Sequence, residues 1–239
     1  MLEVFSAWPR IAGDPLADPS LAPTWVASRA ARQRWTVALS GDGGDELLSG
    51  YPRLRFMPRL RPALCLPSSL RRIGAPLLPA RRWGTKLGAA LAADDEWSAY
   101  QALQGVWPAD DAAQLCGLRE VALPWSPDLL ERLTDLPAWH RYRMLDALTF
   151  LPERVLAKVD RASMAHGLEV RVPFLDHELV AWMSQLSPEM KLRDGVGKWL
   201  LKKGFEPHLS PELLYRPKMG FAVPLGKWFR GPLRDRLHS

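Results

Sequence analysis

Apolar and polar positions along the chain change period at a few sharp points. A helix-compatible run extends from about Thr24 to Arg32 and gives way to Trp35-Thr36-Val37-Ala38-Leu39. That segment is apolar and β-branched, short enough for a buried strand, and ends at a glycine cluster. From about Glu96 onward the spacing is mainly helical. Pro152 suits the first position of a helix whose apolar face holds Val155, Leu156 and Val159, and Gly167 can close it. Leu168 to Val172 alternates with period two until Pro173. Asp176 then reads as the N-cap of a helix containing Leu179, Val180 and Met183, and Ser210-Pro211-Glu212 as another cap with a first-turn proline. Helices should outnumber strands strongly, in an α/β chain.

Composition narrows this picture. The 239 residues are 47% apolar and 24% charged, which suits an ordinary globular chain of one domain or a tight pair. The longest apolar or small-residue run, Leu87 to Ala93, is far below the ~20 residues of a membrane span. Glu3 stands where a secretory signal would carry a cation, so a cytoplasmic address is expected. Cys65 and Cys116 are far apart and lack a metal-ligand spacing, which argues against a zinc site or disulfide framework.

The net charge of +6 hints at nucleic acid until it is divided by region. Residues 47–93 hold no acid and nine cations, Arg53, Arg55, Arg59, Arg61, Arg71, Arg72, Arg81, Arg82 and Lys86, so the rest sums to 6 − 9 = −3. The prolines of this stretch should break it into short helices and turns bearing a solvated arginine-rich surface; nucleic acid is not the expected partner.

Candidate chemistry begins at Ser40-Gly41-Asp42-Gly43-Gly44-Asp45-Glu46, directly after the strand, where open α/β sheets hold ligands. Glycines let a phosphate approach main-chain N–H groups. Asp42, Asp45 and Glu46 would repel a bare phosphate, so the combination suits a Mg-nucleotide with carboxylate on the metal. The spacing fits neither an EF-hand nor G-x-G-x-x-G. Gly197-Lys198 looks like the end of a P-loop, but Trp199 replaces the Ser/Thr. A second cluster, Lys158 to Asp176, puts Lys158 and Arg161 at i, i+3, able to converge on an anion or to form a solvated face. His166 and His177 read as packing or capping residues. A third patch, Arg216-Pro217-Lys218-Met219-Gly220-Phe221, can place Lys218 on a phosphate.

Taken in order, Val37 to Tyr51, Lys158 to Asp176 and Arg216 to Pro224, with Asp14-Pro15 and Gly197-Lys198-Trp199-Leu200-Leu201, closely resemble the synthetase half of glutamine-hydrolysing asparagine synthetases over nearly the whole chain. The resemblance implies a partial adenine-nucleotide α-hydrolase-like domain, a PP-loop ATPase fold keeping a remnant of parallel sheet. It implies ATP and Mg2+ as cofactors, and adenylation of aspartate to β-aspartyl-AMP followed by amide transfer from ammonia released from glutamine. Residue by residue, it places Ser40 and Gly41 against the adenylate, Asp42 at formation of the intermediate, Asp45 on Mg2+ and pyrophosphate, and Lys218 facing the pyrophosphate. Lys158, Asp160, Arg161, Glu169 and Arg171 match a site-shaping motif.

Two departures qualify the match. The family's phosphate loop, S-G-G-x-D-S, does not occur in these residues, and the glutaminase half with its catalytic cysteine is missing. The expectation is therefore an incomplete synthetase domain over 1–239, with an Arg/Pro-rich helical insertion at 47–95. Such a fragment would be impaired alone, or would be completed by a separately encoded N-terminal half, and would carry an exposed sheet edge. An amidotransferase or β-lactam synthetase-like enzyme acting on another carboxylate would look similar, and the arginine stretch leaves open a non-catalytic polyanion-binding protein.

Overall fold

The structure, a computed structural model, describes residues 2–13, 16, 18–75, 82–217, 220–221 and 223–235. In chain order the first elements are α1 (Val4–Ala12), α2 (Leu21–Arg32), β1 (Val37–Leu39), α3 (Gly44–Leu47), α4 (Pro52–Leu64), α5 (Ser68–Gly74), α6 (Arg82–Ala92) and α7 (Glu96–Gln104). They are followed by α8 (Ala109–Cys116), α9 (Pro127–Thr134), α10 (Ala138–Leu145), a π-helical stretch (Asp146–Leu156) and α11 (Ala157–Met164). Then come β2 (Glu169–Arg171), a 3-10 turn (Pro173–Leu175), α12 (His177–Gln185), α13 (Pro188–Lys191), β3 (Leu192–Arg193), β4 (Val196–Gly197), α14 (Trp199–Phe205), α15 (Pro211–Leu214) and α16 (Leu225–Phe229). The chain forms two compact units, one of residues 1–44, 148–185 and 200–239, the other of residues 45–147 and 186–199. The segment 47–95, expected as an insertion, lies within the second unit.

In the first unit α2 and α11 pack around Val4, Leu21, Ala22, Trp25 and Ala162. Their ends follow the sequence signals. Gly167 takes φ +65°, and the N–H groups of Gly167 and Leu168 donate to the carbonyls of Met164 and Ser163, at 3.0 and 3.1 Å. This is a Schellman closure, which only a left-handed residue completes. Asp176 Oδ1 caps α12 by accepting from the N–H groups of Glu178 and Leu179. His166 lies against Trp25, with ring centroids 4.6 Å apart.

Pro152 does not open a helix. It lies within the π-helical stretch that runs on into α11, whose wider turn leaves room for a ring that an α turn would press against the preceding turn's carbonyl.

Among the described residues the parallel sheet has two strands, with Val37 opposite Glu169, Ala38 opposite Val170 and Leu39 opposite Arg171. Contrary to a buried strand, Leu39 is 74% exposed and Val37 and Trp35 are also exposed. Two strands present too narrow a face for helices to cover both sides.

The second unit closes over Leu54, Met57, Tyr100, Leu103, Trp125, Leu133, Tyr142 and Leu145. Some of its arginines are structural while others stay at the surface: Arg53 and Arg71 are buried, whereas Arg59, Arg61 and Arg72 are exposed. Arg53 Nε donates to Asp146 at 3.0 Å and to the Tyr100 hydroxyl, and Nη2 is ion-paired with the same carboxylate at 2.9 Å. Arg71 is buried and donates to the carbonyls of Leu66, Leu91 and Ala93. Arg55 reaches the Gly195 carbonyl, Lys86 that of Leu103, and Arg61 and Arg72 pair with Glu96 and Asp94. Helix ends leave carbonyls that a guanidinium fork can satisfy. α4 nevertheless runs through Pro58 and Pro62, longer than the expected pieces. Among the described residues no helix is long and apolar enough to cross a membrane.

Candidate functional site

β1 delivers the loop. The Ser40 N–H donates to the Arg171 carbonyl at 2.8 Å, extending the parallel pairing by one step before the chain turns away. The loop then folds on itself: the Ser40 hydroxyl donates to Asp42 Oδ2, and Gly43 takes φ +82°. A Cβ on Gly43 would stand 2.5 Å from Leu175, so both the turn and the packing demand glycine.

Within the first unit, Ser40, Gly41 and Asp42 face a cleft of about 490 Å³ whose walls include Thr24 and Ser28 of α2, Lys158 and Val159 of α11, Val170 and Phe221. Small residues on α2, Ala27 and Ala31 among them, keep the cleft open beside the sheet end. Lys158 is mostly buried, and its ammonium stands 3.9 Å from Asp18, which also lies 3.5 Å from Arg154. Burial alone would raise the Asp18 pKa, but hydrogen bonds from the Ser20 hydroxyl and N–H, with the charges of Lys158 and Arg154, lower it. Asp18 thus stays a carboxylate and holds Lys158 at the cleft wall. Neither the acid nor the Lys158 pairing was legible in sequence, because 140 residues separate them.

The other members of the second motif lie elsewhere. Glu169 and Arg171 pair with each other at 2.7 Å on the exposed face of β2, while Val170 between them turns to the cleft. Asp160 is exposed, and neither it nor Arg161 lines the cleft. Lys218 lies outside the described residues.

In the second unit Asp45 and Glu46 part company. Asp45 Oδ1 meets the Lys198 ammonium at 3.1 Å, both side chains about a quarter exposed. Glu46 instead is buried and accepts from the Tyr51 hydroxyl at 2.7 Å; burial raises its pKa, as do the nearby Asp45 and Asp146 charges, against the Tyr51 hydrogen bond. Glu46 is therefore held inside the unit by Tyr51 rather than presented at its surface.

Lys198 belongs to the Gly197 to Leu201 segment of the family resemblance, which assigns it no role of its own. β3 and β4 form a hairpin whose turn, Asp194-Gly195, takes φ 50° and 77°, the two-residue turn that Asp-Gly favours. That dipeptide was the available signal. The hairpin presses Gly197 so close that a Cβ would stand 2.5 Å from the Ser49 carbonyl oxygen, and the Lys198 N–H donates to the Leu48 carbonyl at 2.8 Å. Lys198 and Ser49 both take positive φ, at 57° and 55°. Non-glycine residues held there mark a place where the fold imposes a conformation on a site. At Gly50 a Cβ would fall 1.8 Å from Asp45 Oδ1, so the carboxylate occupies the space of a missing side chain.

This donor set fits Mg2+ in one particular mode. Among the described residues no three His, Cys, Asp or Glu side chains assemble a protein cage. Asp45, partly exposed and oriented by Lys198, offers the single carboxylate that Mg2+ takes when substrate phosphates complete its shell.

The asparagine synthase family profile matches residues 1–239. A putative glutamine-hydrolyzing asparagine synthetase of Mycobacterium tuberculosis (strain ATCC 25618 / H37Rv) is 34% identical over 230 residues, 91% of this chain and 34% of the relative. Asparagine synthetase 1 of Bacillus subtilis (strain 168) is 30% identical over 93% of this chain and 36% of its own length. The Homo sapiens asparagine synthetase is 42% identical over 80 residues, 30% of this chain and 14% of the relative. The chain thus spans about a third of the length of the first two. No solved structure gives a significant match.

Proposed function

Because the chain belongs to the asparagine synthase family, we propose that it supplies the strand-loop part of an ATP-dependent adenylating site that activates the side-chain carboxylate of aspartate for amide formation. The observation that carries this reading is the convergence of Ser40, Gly41, Asp42 and Lys158 on one cleft at the end of β1. In this reading the parallel pair β1–β2 belongs to an adenine-nucleotide α-hydrolase-like sheet, and the setting is cytoplasmic.

The aspartate carboxylate attacks the α-phosphorus of ATP, the bond to pyrophosphate breaks, and ammonia then displaces AMP. Ser40 and the Gly41 backbone hold the adenylate, and Asp42, fixed by the Ser40 hydroxyl, acts where the acyl-adenylate forms. Lys158 balances phosphate charge at the wall. Mg2+ held on Asp45 supplies positive charge for the departing pyrophosphate when bound, worth several kcal/mol in a site shielded from water. Lys198 fixes the direction of that carboxylate. Lys218 faces the same leaving group. Asp160, Arg161, Glu169 and Arg171 shape the motif from outside the cleft. These 239 residues contain neither the phosphate loop nor the glutaminase, so the full reaction needs both, supplied by a preceding segment or a separate N-terminal half.

The test is to follow pyrophosphate from ATP, Mg2+, aspartate and ammonium, using the chain alone and mixed with the preceding segment of the Bacillus subtilis relative. Aspartate-dependent release that requires the mixture and falls at least tenfold in Asp42→Asn is expected. Release driven by a different carboxylate would move the assignment to an amidotransferase or β-lactam synthetase-like reaction, and none in any mixture would refute it.

A further inference from the structure

Away from the strand-loop region, the second unit buries cations without an anion. Lys191, the last residue of α13, has no exposed surface, and Arg143 of α10 is 1% exposed. Among the described residues Lys191 Nζ and Arg143 Nε have no hydrogen-bond partner. The third member, His140, lies one turn before Arg143, whose Nη2 stands 2.7 Å from His140 Nδ1. Lys191 Nζ lies 5.3 Å from the centre of the Trp139 ring. No carboxylate pairs with any of these side chains among the described residues.

Burial holds Lys191 down at about 8 and Arg143 at about 10, and burial with both cations holds His140 at about 4. At neutral pH two positive charges remain beside a neutral imidazole. The face of Trp139 offsets part of one charge. An isolated buried cation is otherwise a severe cost, and native chains remove it by pairing or by binding a counter-ion.

We propose that Lys191 Nζ and Arg143 Nε form a binding site for one small, monovalent inorganic anion. Both donors are closed off, which excludes a bulky or strongly hydrated ion, and the aromatic wall suits a weakly hydrated one. His140, beside Arg143, is half-buried. A protein carboxylate brought by another chain would need surface access that Lys191 lacks. Lys191 immediately precedes β3, so an anion there would tie α10 to the hairpin that carries Lys198 to Asp45.

Bromide and nitrate are the probes, titrated into the purified chain in gluconate buffer at constant ionic strength, with the thermal unfolding midpoint as readout. Binding to the native state predicts a saturable rise of a few degrees, and 81Br NMR line broadening that saturates at the same concentration. Sulfate, which stabilises by exclusion from the surface, should give only a non-saturating rise. Lys191→Met should unfold at a higher temperature than the parent without anion, since it removes an unpaired buried charge, and should lose the saturable response. Arg143→Met serves as the second variant. A missing saturable response in the parent, or one retained in both variants, overturns the proposal.

Discussion

Lys158 in the first unit and Arg53 in the second are both mostly buried cations with a carboxylate partner, yet the pairs are built differently. Lys158 meets Asp18 at 3.9 Å on the wall of an open cleft, and the same carboxylate serves Arg154 and Ser20. Arg53 meets Asp146 through two nitrogens at about 3 Å, and Gln104 and Tyr100 complete the group. A loose pair can turn its cation toward an incoming phosphate. A locked one only holds shape. The first arrangement suits the phosphate role proposed for Lys158, and the second suits a structural role for Arg53.

Removing one partner from each pair should separate the two kinds of site most strongly. Asp146→Ala leaves Arg53 charged in the core and should cost about 3–5 kcal/mol in urea unfolding. Lys158→Met should cost about 1 kcal/mol or less, while weakening retention of the chain on immobilised ATP. Equal stability losses would erase the distinction.

The next effect falls on the hairpin. Gly197→Ala places a methyl carbon against the Ser49 carbonyl, a backbone atom that cannot swing aside. It should cost about 1–3 kcal/mol, and the hairpin should become a preferred site of limited proteolysis. A neutral result would mean that Lys198 does not need this close approach.

These residues also show how much the sequence could disclose. Element ends were legible wherever the signal is local: Gly167 closes its helix, Asp176 caps the next, and Ser40 follows its strand because each depends on neighbours within about five residues. The cleft residues Ser40, Gly41 and Asp42 came with them. Pro152 misled because a first-turn proline and one tolerated in a π turn share the same flanking pattern. Lys198 escaped because its meaning comes from a hairpin packed against residues 150 positions earlier. Arg53, Arg55 and Arg71 read as surface because their partners, Asp146, Gly195 and helix-end carbonyls, are set by packing, which periodicity does not report.

Acids in the two units should respond to pH with opposite sign. Asp18 has a lowered folded pKa, so its contribution is present above its unfolded value near 3.8 and is lost as pH falls through the folded one. Glu46 has a raised folded pKa, so the native state holds more protons just above pH 4.5 and stability falls as pH rises through that window. At pH 7 Asp18→Asn should therefore destabilise by about 1 kcal/mol, whereas Glu46→Gln, which still accepts from Tyr51, should be neutral or stabilising. Unfolding midpoints between pH 3 and 7 for both variants test the signs.

The smallest expected effect sits beside a larger one on the same helix. Arg72 pairs with Asp94 where both side chains are more than half exposed, whereas Arg71, one residue earlier, is buried and donates to three carbonyls. Arg72→Ala should shift stability by less than about 0.5 kcal/mol and only at low salt. Arg71→Met removes the same formal charge but leaves buried carbonyls unsatisfied, at about 1–3 kcal/mol. If the basic stretch were instead a polyanion-binding surface, Arg72→Ala would reduce the salt dependence of retention on heparin by about one phosphate contact, and Arg71→Met would leave it unchanged. An equal, small effect of both on stability would show that the stretch's charge is carried at the surface after all.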